Sequence, residues 1–264
     1  MRRALLLLVL GPPLVATSLH AQRARDEARL TIGVGVLYSG GGGSLWRVGR
    51  QPVLDAAGTD TLGISRSLSG GLGLSFAGAY YPSSYYGFTG ELLVARVTAS
   101  DDCYHVSPAP TNYASDLCGS LSNGEVRTSS AALTAGIAIR PGFRGAVQPF
   151  VRAAGGFQVM QESFAGMGGL VRRGSEYATA SVYRDEGGTF TSPYLTAGIG
   201  FSADLSPGWQ TRVELRDVWF QLPEITGPTS RQGVEPRVGT RGHHRLTFLV
   251  SVDVLLERKR GRRY

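Results

Sequence analysis

Lysine is almost absent. Lys259 is the only one, and every other basic residue is arginine, a bias that the base composition of a GC-rich genome accounts for. Charge is sparse: 18% of residues are Asp, Glu, Lys or Arg, against about 25% in ordinary soluble domains. Beyond the first few residues no run approaches the ~20 apolar residues of a membrane helix. A helical membrane protein is therefore excluded, and an ordinary water-facing surface is disfavoured. The net charge of +7 resembles a nucleic-acid footprint only until it is located. Two of the bases, Arg2 and Arg3, open the chain, and the last eight residues, ERKRGRRY, hold five bases and one acid. The body between is nearly neutral, so it offers no basic groove and no nucleic-acid partner is expected.

The opening MRRALLLLVLGPPLVATSLHAQ pairs a basic start with a short apolar stretch and a small-residue end. This is the pattern of a secretory signal, with cleavage expected after Ala21. Pro12-Pro13 interrupts the apolar run, which is too short to anchor in a bilayer. The expected organisation is a signal peptide over 1–21, one domain over 22–256 and a basic tail over 257–264. In an exported chain the two cysteines, Cys103 and Cys118, read as a disulfide. Closing a loop of about 15 residues stabilises by roughly 3 kcal/mol in the chain-entropy model.

What is abundant is glycine, with 37 residues, and alternation with a period of two. Eight runs alternate in the manner of strands: 30–38, 67–80, 85–97, 128–140, 148–159, 192–202, 209–217 and 244–255. The phrase LTAGIAI at 133–139 returns as LTAGIGF at 195–201. Long and short gaps between runs alternate strictly, and the short ones contain Pro82, Pro141-Gly142 and Pro207-Gly208, residues that start or form turns. The repeated phrase thus opens two successive hairpins of one sheet. The predicted fold class is all-β: an eight-stranded antiparallel up-and-down barrel with four long loops on one rim and three short turns on the other.

The alternation alone fits either a soluble lipocalin-like barrel with an apolar interior or a transmembrane barrel with an apolar exterior. The other face decides. It holds Gly, Ala, Ser and Thr with isolated charges, too small and too weakly polar for an outer wall in water. An eight-stranded barrel has interior room only for side chains. Small residues and a balanced set of charges would fill it: Glu91, Arg152, Arg212, Glu214, Arg216 and Asp253, three acids and three bases. Leu133, Ile137, Leu195, Ile199, Phe248, Val250 and Val252 are assigned to lipid. Tyr80, Tyr81, Tyr85, Tyr86 and Trp209 at the turns, with Tyr38, Trp219 and Phe220 near the long-loop rim, read as two interfacial girdles.

The signal peptide, the pairs LTAGIAI…PFVRAAGGF and LTAGIGF…QTRVEL, and the closing RLTFLVSVDVLL resemble the eight-stranded outer-membrane proteins of the OmpA transmembrane domain, OmpX and OmpW. The resemblance spans the mature chain and rests on pattern rather than a diagnostic motif. It implies a monomer in the cell outer membrane of a diderm bacterium, bounded by its lipids and lipopolysaccharide and inserted by the barrel assembly machinery. Two departures stand out. The last strand ends near Leu256 with a basic octapeptide after it, and no peptidoglycan-binding domain is expected to follow.

Chemistry is thinly represented. His243-His244 lie near the long-loop rim, the level at which some eight-stranded barrels carry a lipid A-modifying enzyme site, but adjacent strand residues face opposite ways, so at most one could enter such a site, with Asp217 as a partner. No nucleophile motif accompanies them. His105 with the two cysteines is a weak metal set when the cysteines pair with each other. Gly40–Gly43 lacks the Lys-Ser/Thr of a phosphate loop and reads as a flexible loop start. Arg172-Arg173 and Asp101-Asp102 read as solvated loop charges. The expectation is a protein with no cofactor, no metal and no enzymatic activity, acting structurally or through long loops that recognise an extracellular partner. A narrow conduit for small or apolar solutes, of the OmpW kind, is the alternative.

Overall fold

The structure is a computed structural model and describes residues 29–257 except 42, 57, 142–146, 162–163 and 186–187. The signal peptide, the basic tail and most of the turn after Pro141 lie outside the described residues. Twelve strands and one helix follow in order: β1 (Arg29–Ser39), β2 (Ser44–Asp55), β3 (Gly58–Ser69), β4 (Gly71–Tyr81), β5 (Tyr86–His105), α1 (Asn112–Ser122), β6 (Glu125–Ile139), β7 (Val147–Met160), β8 (Met167–Arg173), β9 (Glu176–Tyr183), β10 (Phe190–Ser206), β11 (Trp209–Ile225) and β12 (Val238–Glu257).

Eight strands close a ring in the order β1-β4-β5-β6-β7-β10-β11-β12, antiparallel throughout. The first strand meets the last, with Val34 opposite Val252. Closure leaves no sheet edge at the level of the ring, which is the condition for placing strands in hydrocarbon. The two copies of the repeated phrase lie on β6 and β10, the neighbours on either side of β7.

The faces follow the alternation. Leu133, Ile137, Leu195, Ile199, Phe248, Val250 and Val252 point outward and are between 41 and 62% exposed. They belong to a belt of large apolar side chains running round every ring strand. A water-soluble monomer does not carry such a surface, whereas lipid requires it. Tyr80, Tyr85, Tyr86 and Trp209 ring the turn side, all outward. Tyr81 departs from the expected girdle: it is buried, pointing inward. Phe220 departs at the other rim, packed into an internal core.

The turns are short for stated reasons. Gly208 takes φ +85° between β10 and β11, a conformation that disfavours a side chain. Ser83 Oγ accepts the N–H groups of Tyr85 and Tyr86 at 3.3 Å, tightening the turn between β4 and β5.

The other rim differs from expectation. Strands β5 and β12 run for 20 residues and β10 and β11 for 17, well past the ~9–11 that cross a bilayer. The predicted run 67–80 is two strands, broken at Gly70: Leu68 is 4% exposed and faces in, while Leu72 is 64% exposed and faces out. The hairpin β2–β3 extends the sheet from the upper half of β5, β8–β9 forms a second sheet, and α1 packs against both β8 and β5. Three of the long connections are therefore folded structure. Gly40, at the supposed flexible start, donates its N–H to Leu246 O at 2.9 Å.

Candidate functional site

Inside the ring the six charges assigned from sequence converge. Glu91 on β5 accepts two contacts from Arg216 Nη1 at 2.9 and 3.0 Å. Its Oε2 also lies 2.7 Å from Arg152 Nη2 of β7, and Ser75 of β4 donates to it. Glu214 holds Arg216 at 2.8 Å on the same strand and lies 3.7 Å from Arg152. Arg212 reaches Asp253 of β12 at 3.3 Å and Ser251 Oγ at 3.1 Å. Glu91, Arg152, Glu214 and Arg216 are at most 2% exposed. Three bases face three acids, so each desolvated charge is compensated.

The small residues opposite now have a reason. A Cβ at Gly33 would lie 1.9 Å from Asp253 Oδ1, and one at Gly198 would meet Glu214 Oε1 at 2.9 Å. Glycine at these inward positions makes the room in which the long charged side chains cross the lumen.

Two arginines missed from sequence flank this layer. Arg140 lies over the ring of Tyr81 at 3.5 Å on the turn side, which explains why Tyr81 turns inward. Arg245, on the other side, donates to Gly40 O at 2.8 Å and to Ser69 O. Between Arg245 and the ion layer lies a small apolar band of Leu37, Leu93, Ala132 and Leu249. A cavity of about 40 Å³ sits there, lined among others by Tyr194, Gln158 and Phe220.

Above this the connections fold together over the barrel mouth, forming a cap with the larger hydrophobic core of the described residues. Leu45, Trp46 and Ile64 enter it from β2 and β3; Leu117 and Leu121 from α1; Phe164, Val171 and Val182 from the third connection; Leu222 and Ile225 from β11. Polar side chains brace it. Arg66 is 1% exposed and pairs bidentately with Asp101 at 2.5 and 2.8 Å. It also donates to the carbonyls of Phe164 and Gly166, both at 2.8 Å. Asp101, read as solvated, is thus buried, whereas Arg172 and Arg173 are exposed as expected. Gln51 takes the Tyr183 hydroxyl at 2.8 Å and Thr229 N–H at 2.9 Å, tying the first, third and fourth connections. Burial pushes the Tyr183 phenol above its ordinary pKa. Gln232 reaches Leu54 O and the Tyr113 hydroxyl.

Helix α1 begins at Thr111, whose side chain accepts Ala114 N–H at 3.2 Å. Asp60 of β3 accepts Thr111 N–H at 2.7 Å, and that backbone bond holds its carboxyl below the ordinary range. Cys103 and Cys118 are bridged with their Cα atoms 5.3 Å apart, fastening α1 to the upper end of β5.

His243 is buried inward, while His244 faces out beside Asp217 Oδ2 at 3.0 Å. The two diverge as strand geometry requires, and the histidine–aspartate pair lies on the outer wall. His105 is exposed at the end of β5. Among the described residues no three His, Cys, Asp or Glu side chains cluster as a metal set.

No protein-family model matches the chain, and no curated protein does. Among solved structures it is similar to Neisserial surface protein A, NspA, with a TM-score of 0.43 and 10% identity over 87% of this chain and 99% of that one. The outer membrane protein OprG from Pseudomonas aeruginosa gives 0.47 and 12%, over 88% and 98%. Ail, the attachment invasion locus protein of Yersinia pestis, in complex with the heparin analogue sucrose octasulfate, gives 0.40 and 11%, over 87% and 99%. By its own closed ring, apolar belt and charged interior, the chain is an eight-stranded antiparallel β-barrel whose outer wall is suited to lipid.

Proposed function

We propose that the protein is a non-enzymatic outer-membrane barrel whose stem anchors a rigid recognition surface outside the cell. The observation that carries this reading is the cap. All four long connections contribute to one core or its bracing, which strand connection alone does not need. Surfaces held on rigid scaffolds are where such folds place recognition. The ion layer beneath fills the lumen with buried, paired side chains, which favours an anchor over a channel. Short turns and both ends of the barrel then face the periplasm, as is usual for outer-membrane barrels. A steady single-channel conductance from the refolded protein in planar bilayers would overturn this reading; silence, with binding of whole cells to host or abiotic surfaces lost on cap deletion, supports it.

A conduit for small apolar solutes is the second reading, favoured by one feature. Strands β10 and β11 pair only up to Tyr194 and Phe220. Above that level a cleft of about 350 Å³ opens beside Phe190, Pro223 and Val238. Uptake of a short alkane by vesicles bearing the protein, and not by empty vesicles, would support it.

A further inference from the structure

We infer that the barrel holds a small, weakly hydrated monovalent anion, of the size of chloride, bromide or nitrate, in the cavity beneath its cap, with Arg245 as the counter-charge. This site lies inside the barrel and owes nothing to what the cap recognises outside.

The first observation is charge. The arginines of the ion layer have Glu91, Glu214 and Asp253, and Arg66 in the cap has Asp101. Arg245 stands outside this pairing. It is 7% exposed, and its guanidinium donates from Nε to Gly40 O at 2.8 Å and from Nη2 to Ser69 O. Among the described residues no carboxylate pairs with it, and no acceptor meets Nη1. The titratable groups that act on it are two phenols, Tyr194 and Tyr38, rather than acids. Two carbonyl dipoles do not neutralise a desolvated cation, and a buried charge without a counter-charge is among the costliest features a fold can carry.

The second observation is space. Arg245 lines the cavity of about 40 Å³. A single water needs about 10–15 Å³, so the cavity has room for a halide or for a planar anion of a few atoms. Its polar side carries the hydroxyls of Ser39, Ser130 and Thr247, with Gln158 and Tyr194. The Ser39 and Thr247 hydroxyls lie 3.1 Å apart, and hydroxyls rotate, so either can turn its proton toward an anion. Two more buried hydroxyls continue this side upward without a partner among the described residues: Ser192, opposite Gln158, and Thr128, two positions before Ser130 on β6.

The third is what the rest of the lining selects. Leu37, Leu93 and Ala132 form the floor, and Val97, Val218 and Phe220 belong both to the cavity wall and to the cap core above. An ion entering such a place gives up most of its water, which favours a large, weakly hydrated anion over fluoride. One cation matches one negative charge. Arg152 and Arg216 in the layer below are already engaged by Glu91 and Glu214, so sulfate or phosphate would bring a second charge with nothing to meet it. A lipid headgroup or a nucleotide is too large for the space.

The test uses the full mature chain refolded in non-ionic detergent. Thermal unfolding is followed by tryptophan fluorescence, in sodium nitrate, bromide, chloride or sulfate, with ionic strength held constant by sodium fluoride. An anion bound only by the folded protein raises the midpoint with its concentration. Wild type is expected to respond to nitrate and bromide, less to chloride and not to sulfate. Equilibrium dialysis against radiolabelled chloride gives the binding directly. Arg245→Met should weaken it by about tenfold or more, the effect of losing a charge-assisted contact, and Arg245→Lys, which keeps the charge, should retain part of it. Ala95→Leu fills the cavity from β5 and leaves Arg245 in place; it should abolish the response, and it carries the comparison if Arg245→Met fails to show the gel shift on boiling. A wild type indifferent to the anion would mean that the cavity holds water alone and would overturn the site. So would the same dependence in wild type and in either Arg245→Met or Ala95→Leu, or sulfate acting as strongly as nitrate. None of these readouts measures conductance or cell adhesion, so failure here is distinct from failure of the proposed function.

Discussion

Replacing Glu91 by glutamine should destabilise the barrel more than any other conservative change in the lumen. The substitution keeps the shape and the Ser75 contact but leaves Arg152 and Arg216, 2.7 and 2.9 Å away, facing a neutral amide. Two unit charges about 3 Å apart attract by about 5–6 kcal/mol at an effective dielectric of about 20, and Glu91 serves two arginines. Its own desolvation offsets part of that gain. Breaking a buried pair by removing one partner costs about 3–5 kcal/mol, and that is the expected loss. Urea titration of the protein refolded into phospholipid vesicles, followed by the gel shift of unboiled samples, measures it. Adding Arg152→Met to Glu91→Gln restores neutrality among the remaining Arg212, Glu214, Arg216 and Asp253, and should recover part of the loss. A single-variant cost below about 1 kcal/mol, or a double variant worse than the sum of its parts, would refute the claim that compensation of charge holds this layer together.

Arginine in place of Val250, Leu133 or Ile199 should cost about 2–4 kcal/mol, and less at Leu246 nearer the rim; equal costs at Leu133 and at the inward Thr134 would contradict the assignment of faces. Cys103→Ser/Cys118→Ser should leave the heat-modifiable barrel intact while α1 becomes easier to cleave by protease added to whole cells; cleavage seen only after the outer membrane is permeabilised would reverse the orientation. Arg66→Met leaves Asp101 buried and unpaired and should likewise expose the cap, with the ring unaffected; a protease pattern identical to wild type would argue against it. Asp60 has a lowered pKa in the folded protein, so its contribution is complete above the ordinary value near 3.8 and is lost as pH falls through the folded value. Amide exchange at Thr111 and Ala114 should therefore rise below about pH 4 in wild type and be pH-insensitive in that window, beyond intrinsic exchange chemistry, in Asp60→Asn.

The ring was legible because its rule is local. A period of two, read against the size of the opposing residues, needs no knowledge of distant partners, and all six assigned charges lie in the lumen. The cap was not legible because its rule is non-local. Leu45, Leu117 and Val182 stand in three different connections and Leu222 on the far end of β11, yet they share a core, and none lies in a stretch with enough alternation to announce burial. Arg66 sits among serines and carries no periodic signal, and its partner Asp101 lies beside the exposed Asp102, so the dipeptide reads as solvated. Gly70 is the local clue within its run: it marks the point where the chain returns from the β2–β3 hairpin to the ring. Tyr81 and Phe220 are buried although their sequence positions suit a girdle, because an aromatic near a rim carries no indication of which way it faces.

The cap core and the lipid-facing belt make one chain answer to two solvents. Unfolding the cap exposes apolar side chains to water and should raise the heat capacity as in a soluble domain. The belt already meets hydrocarbon when folded, so opening the ring within a membrane exposes little new apolar surface to water. Warming in vesicles should therefore produce two separate heat-absorption events rather than one cooperative transition. The cap event alone should also weaken on cooling, so that cold as well as heat loosens the part of the molecule that meets the outside while the stem stays closed.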